Sequence, residues 1–261
     1  MITLNGVPRR PVRVVSVHSL RGGTGKSNLS ANVAAQLARK DMRVGVIDAD
    51  VQSPGIHVLF GLSGDDITAS LNDFLFDGVP IEQVALDVTP PGVPGRIHLI
   101  PSSIQPGEIT RVLRNGYDSQ QLVEGLREFV DVLELDALLV DTHPGLQEET
   151  LLSLVVADTV LVVLRPDQQD YEGTGVTVHV AKELEVPRIA IVVNKSPDSF
   201  DPAVVRARVE QAYDCPVVAV LPHSDAMMTL GSAGIFSLRY PDEDLSKELI
   251  TVADFVRREA G

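Results

Sequence analysis

Apolar runs rich in β-branched residues alternate with stretches of helical period along almost the whole chain. Such runs suit strands buried on both faces of a parallel sheet, with the intervening helices as cover. The pattern predicts strands over residues 12–18, 43–48, 96–101, 137–141, 158–164, 188–194 and 216–221. Leu29, Val33 and Leu37 recur about one helical turn apart, and Leu122, Leu126, Phe129, Val130 and Leu133 mark another helix. A last helix is predicted from Leu245 to Arg258, packing Leu249, Val252, Phe255 and Val256 onto the domain. Residues 62–106 break the rhythm. They are Pro/Gly-rich around Thr89 to Gly95 and, up to the strand that closes them, read as an irregular, exposed insertion. The expected fold is α/β, a mostly parallel sheet of seven or eight strands with helices on both faces. One domain is expected over residues 1–261, behind a flexible N-terminal arm of residues 1–11.

Composition narrows the class without changing that picture. Hydrophobic residues at 44% and charged residues at 22% are ordinary for a globular chain. No apolar run approaches the roughly 18 residues of a membrane span, and no leader-like segment opens the chain, so a cytoplasmic protein without a membrane anchor is expected. The net charge of −14 argues against passive adhesion to nucleic acid. It leaves a local basic patch open, with Arg111, Arg114, Arg206 and Arg208 as candidates that read more simply as solvated helix charges. The cluster Arg9, Arg10 and Arg13 reads as a solvated arm. The single cysteine, Cys215, reads as a small core residue.

Chemistry concentrates in VRVVSVHSLRGGTGKSN, Val12 to Asn28, where a strand runs through a glycine-rich loop into a helix. Gly22, Gly23 and Gly25 lack Cβ, so the backbone can turn its amides inward on an anion. The helix beginning near Lys26 adds unpaired N–H groups and the positive end of its dipole. Lys26 supplies a point charge for phosphates, Ser27 a hydroxyl for Mg²⁺, and Thr24 and Asn28 flank them. A glycine-rich turn with a surface lysine is the plainer reading. It is set aside because strand, glycines, Lys-Ser and helix come in the required order. One departure stands out: Leu20 occupies the position where the general phosphate loop has its first glycine.

Acids fall where such a loop needs them. The strand RVGVID ends in Asp48-Ala49-Asp50, two carboxylates at the C-terminal edge of the sheet. One suits a metal shell and the other an attacking water. A further strand ends in Asp141, followed by the turn Thr142-His143-Pro144-Gly145. A nucleotide with Mg²⁺ is the implied cofactor. The six histidines lack ligand spacing, and only His143, beside Asp141, is singled out for a gating or partner contact.

The GGTGKS core preceded by Arg21 resembles the deviant Walker A loop of the MinD/ParA ATPases, written KGGxGK(S/T), with arginine in place of the signature lysine. The resemblance covers Arg13 to about Val256 and implies a P-loop NTPase fold with an ATP-sandwiched homodimer. It implies that Asp50 orients the hydrolytic water, that Asp141 and Asp48 lie by Mg²⁺ with Ser27, and that Asn194 contacts adenine. Pro222 and Ser224, in the loop Leu221 to Asp225, would cover the base, and Arg165 to Gly173 would lie near the dimer face. Arg21 would reach the partner's phosphates, in the manner of arginine fingers supplied in trans. Contact with its own phosphates, or with a neighbouring acid, stays open. Asn194-Lys195 also opens a guanine motif, but Pro197 stands where that motif needs an acid, so ATP is preferred.

The leading expectation is an ATP-driven switch, a slow ATPase whose homodimer binds an unidentified partner or cargo. A metabolic ligase of the same superfamily and a nucleoid-binding partition ATPase are the alternatives. A dinucleotide oxidoreductase is disfavoured because Asn28 replaces the third glycine of GxGxxG. Within the superfamily, iron–sulfur carriers are set aside because Cys215 alone cannot hold a cluster. Tail-anchor targeting factors and tyrosine kinases are set aside because methionines and tyrosines number four each.

Overall fold

The computed structural model describes residues 12–258, and the expected N-terminal arm lies outside them. All seven predicted strands form, as β1 (Arg13–His18), β2 (Arg43–Asp48), β4 (Arg96–Ile100), β5 (Ala137–Asp141), β6 (Thr159–Leu164), β7 (Arg188–Ser196) and β8 (Val217–Pro222). An eighth, β3 (Leu86–Asp87), pairs antiparallel with β4 through Leu86↔Leu99 and Asp87↔His98. Two residues carry no period, so nothing in the sequence announced it.

The sheet order is β3-β4-β2-β5-β1-β6-β7-β8, parallel apart from β3. From the centre the chain winds outward through β2 and β4 on one side and through β6, β7 and β8 on the other. The winding therefore reverses at β1, which opens a crevice at the C-terminal edge of the sheet.

The main helices are α1 (Lys26–Ala38), α2 (Ile56–Leu59), α3 (Leu71–Asp77), α4 (Pro106–Asn115), α5 (Ser119–Val132), α6 (Glu148–Val155), α7 (Gln168–Glu183), α8 (Pro202–Tyr213), α9 (Asp225–Leu230), α10 (Phe236–Arg239) and α11 (Asp244–Arg257). They cover both faces. Val15 and Val17 of β1 face a core built with Leu29, Val33 and Leu37 of α1 and Leu249, Val252 and Val256 of α11. Because α11 packs on its outer side, α1 is buried nearly all round, and its small residues Ala31, Ala34, Ala35 and Ala38 allow the close approach. Leu138 and Val140 of β5 point to the opposite face, against Leu122, Leu126 and Phe129 of α5. A third cluster joins β6 and β7 to α7 and α8.

The insertion departs from expectation. It is not an exposed loop: Leu71, Phe74, Leu75, Ile81 and Val84 are buried in the α5 core. Its helix α3 starts at a reciprocal capping box, in which the Ser70 N–H and hydroxyl both donate to Asp73 Oδ2 at 2.7 Å. Ser70-x-x-Asp73, just before Phe74-Leu75, was the signal. The nearby prolines and glycines obscured it.

Candidate active site

The loop between β1 and α1 has the expected shape. Gly23 and Gly25 take φ of 77° and 97°, the left-handed region that a residue without Cβ enters freely. At Gly25 the constraint is double, because a Cβ there would lie 2.4 Å from Asn194 Nδ2. Ser19, which the sequence did not single out, ties the loop together. Its hydroxyl donates to Arg21 O at 2.7 Å and accepts from Thr24 Oγ1 at 3.0 Å and Lys26 Nζ at 3.1 Å. The end of β7 fastens it from outside: Asn194 Nδ2 donates to Thr24 O at 2.7 Å and Lys195 Nζ to Gly23 O at 2.8 Å. Leu20 packs against Gly173 of α7, where a Cβ would meet its Cδ2 at 2.5 Å. The first-glycine position of the general loop is thus spent here on a helix contact.

The acids converge beneath this loop. Asp48 and Asp141 are register partners across β2 and β5, and both are only 1% exposed. Asp48 accepts the Asp50 N–H and the Gly55 N–H at 3.1 Å each. Burial, with Asp141 alongside, pushes its carboxyl well above the usual carboxylate range. Asp141 accepts the Ser30 hydroxyl at 3.0 Å. Burial raises its pKa to about 6, against the pull of Ser27 and Lys26. Lys26 is itself buried, which lowers its pKa, while Asp141 and Asp50 draw it back up.

Asp50 lies at the rim and accepts the Ser53 N–H at 3.0 Å. Burial raises its pKa, and His143, whose Nε2 stands 4.0 Å from Oδ1, opposes the shift. His18, behind the loop, contacts Thr142 Oγ1 through Nδ1 at 3.0 Å. Thr142 donates its own proton to Val17 O at 2.9 Å, so Nδ1 carries the imidazole proton. Burial, with Lys26 and His143 nearby, holds the His18 pKa at about 3, and the ring is neutral.

Beside the loop a cavity of about 260 Å³ is lined by Gly25, Asn28, Asn194, Pro222, Ser224 and Met227, among others. The fold therefore brings the phosphate loop, Asp48, Asp50, Asp141, Asn194, Pro222 and Ser224 to the same edge of the sheet. Arg21 points elsewhere. Its guanidinium bonds Gln169 and lies 3.6 Å from Asp170, the neighbouring-acid alternative. Asp170 also accepts the Arg165 N–H at 2.9 Å and its Nε–H at 3.0 Å.

Eight strands wound about a central β1, a glycine loop capped by a helix, and carboxylates at adjacent strand ends define a P-loop NTPase. A model of the ParA family, described as an NUBPL iron-transfer P-loop NTPase, matches residues 11–256, and the chain belongs to that family. An uncharacterized ATP-binding protein of Methanocaldococcus jannaschii is 27% identical over 254 residues, covering 97% of this chain and 88% of that protein. The iron–sulfur cluster carrier protein of Pyrococcus furiosus is 31% identical over 186 residues, covering 70% of this chain. The match spans 61% of the carrier's own length. Among solved structures, the septum site-determining protein MinD of Pyrococcus horikoshii, complexed with Mg-ADP, superposes with a TM-score of 0.80. It covers 96% of this chain and 98% of its own at 20% identity, a likeness of fold. No helix among the described residues is long and apolar enough to cross a membrane.

Proposed function

We propose that this chain is a single ATPase domain that binds Mg²⁺-ATP, hydrolyses it slowly, and works as a nucleotide-gated homodimer acting on a protein partner or cargo. The observation that carries the reading is the buried, register-matched pair Asp48 and Asp141 beside Lys26, under a loop in which Gly23 and Gly25 are left-handed. Two adjacent buried carboxylates with raised pKa and hard oxygen donors fit a divalent cation such as Mg²⁺. Ser27 would hold it directly, with Asp48 and Asp141 behind its waters, and it would offset charge on the β- and γ-phosphates.

The chain's own groups supply the rest. Lys26 and the loop amides hold the phosphates, and Asp50 orients the attacking water. Asn28, Asn194, Pro222 and Ser224 enclose the base, and no acidic side chain lines that cavity among the described residues, which favours adenine over guanine. Arg21 would leave Asp170 to reach the phosphates across the dimer. Iron–sulfur carriage, named for the Pyrococcus relative, is not carried over. Cys215 is buried at the entrance of β8, and two chains offer two thiols where a cluster takes four ligands.

The test is the light-scattering mass of Asp50→Ala. With Mg²⁺-ATP the variant should move from about 28.1 kDa to twice that, stay monomeric in Mg²⁺-ADP, and turn over ATP about a hundredfold more slowly than wild type. A monomer in both nucleotides would rule out the sandwich switch, and full turnover would assign the water to another residue.

A further inference from the structure

We infer that Lys195, together with Asn194, is a positioning residue for the phosphate cradle, fastening the loop carbonyls outward; this rests on the nucleotide reading above. A cradle works only when its N–H groups face the anion, so the carbonyls between them must turn away and find donors elsewhere. Two of them do. Thr24 O takes Asn194 Nδ2 at 2.7 Å, and Gly23 O takes Lys195 Nζ at 2.8 Å. Both donors stand at the end of β7, so the loop is anchored to the sheet as well as to itself.

The backbone at this point is unusual. Lys195 sits at φ 57°, a conformation that costs a residue with a Cβ energy. Asn194 Oδ1 accepts the Lys195 N–H at 2.8 Å and holds it there. Strained positions persist where the surroundings over-determine them, and they cluster at functional sites. Asn194-Lys195 opens a guanine motif whose acid is missing, and the bracing of Gly23 and Thr24 gives the pair a task that needs no base. Because the same two residues line the base cavity, the brace links the cavity to the phosphate loop.

Calorimetric titration of Lys195→Met, which keeps the aliphatic stem, tests this with two probes, Mg²⁺-ATP and inorganic tripolyphosphate. Both should weaken by the same factor, about tenfold for a lost bond from a charged donor. Lys195→Arg, able to reach the same carbonyl, should restore both to within about twofold. In the ligand-free variant, amide exchange over residues 20–25 should quicken. Weakening of ATP alone would make Lys195 a base contact and overturn the brace, as would unchanged affinity for both. Wild type that binds neither probe would overturn the nucleotide reading itself.

Discussion

Two clusters at the same edge of the sheet bury carboxylates in opposite ways. Asp170, 4% exposed, is matched: Arg165 gives it a backbone N–H and a guanidinium N–H, and Arg21 lies alongside. Asp48 and Asp141, buried to 1% each, are register partners with the Lys26 ammonium near Asp141, and Asp50 draws on the same charge. Burying an unmatched charge is costly, and the raised pKa values of Asp48 and Asp141 record that cost. The Asp170 cluster is complete as folded. The Asp48–Asp141 cluster is not, and in the function proposed above a divalent cation would complete it. Buried charge that remains under-compensated next to a preformed anion cradle is the physical mark of a binding site.

The sharpest way to break the contrast is to remove the one cation on the unmatched side. Lys26→Ala should weaken Mg²⁺-ATP on the order of a thousandfold, because a buried ammonium and its proposed phosphate contact are both lost. Isothermal titration would show it. Micromolar affinity in that variant would end the assignment of the phosphate loop.

A smaller change isolates the carboxylate. Asp141 has its pKa raised from 3.8 to about 6. Over that window the folded protein holds a proton that the unfolded chain has released, so stability falls as pH rises through it. The loss is on the order of 3 kcal/mol and is complete above the folded pKa. Asp141→Asn keeps the acceptor for Ser30 and carries no charge. Without ligand it should match wild type in urea melts near pH 4 and exceed it at pH 8. The difference between the two proteins is the diagnostic quantity, since Asp48 titrates in both. A constant difference across the range would mean that the Asp141 charge is compensated after all.

Much of this contrast was legible in the sequence, and the exceptions share a cause. Strand ends could be read because a parallel strand is an unbroken apolar run, so Asp48 and Asp141 announced themselves as the polar residues that stop one. Gly-Gly-Thr-Gly-Lys-Ser has a fixed geometry at fixed spacing, and Lys26 and Ser27 could be placed from it. Register between β2 and β5 lies outside any local pattern, so the pairing of Asp48 with Asp141 needed the fold. The same holds for the Lys195 ammonium, which bonds Gly23 O 172 residues away, and for Asp170 beside Arg21. The buried insertion was misread for another reason: composition around Thr89 to Gly95 outweighed the local cap at Ser70. Setting aside iron–sulfur carriers on cysteine count also needs restating. Relatives bearing that name are among the similar chains, so the family tie is closer than the count implied.

The smallest expected effect falls on the matched side and probes the same contrast from the other direction. Arg21 is 41% exposed, and Arg165 would still hold Asp170 without it. Arg21→Ala should therefore cost under about 1 kcal/mol of stability, the range of an exposed ion pair. Asp170→Ala should cost about 2 kcal/mol, because two guanidiniums and a backbone N–H lose their acceptor. The two variants separate structure from catalysis. If Arg21 serves only the cluster, Arg21→Ala hydrolyses ATP at the wild-type rate. If it crosses the dimer, the rate falls at least about tenfold, well beyond what so small a stability loss explains. In that case Asp170→Ala, which frees Arg21 from its partner, keeps its turnover while losing stability. Loss of turnover in Asp170→Ala with none in Arg21→Ala would reverse the assignment and place Asp170, not Arg21, in the working site.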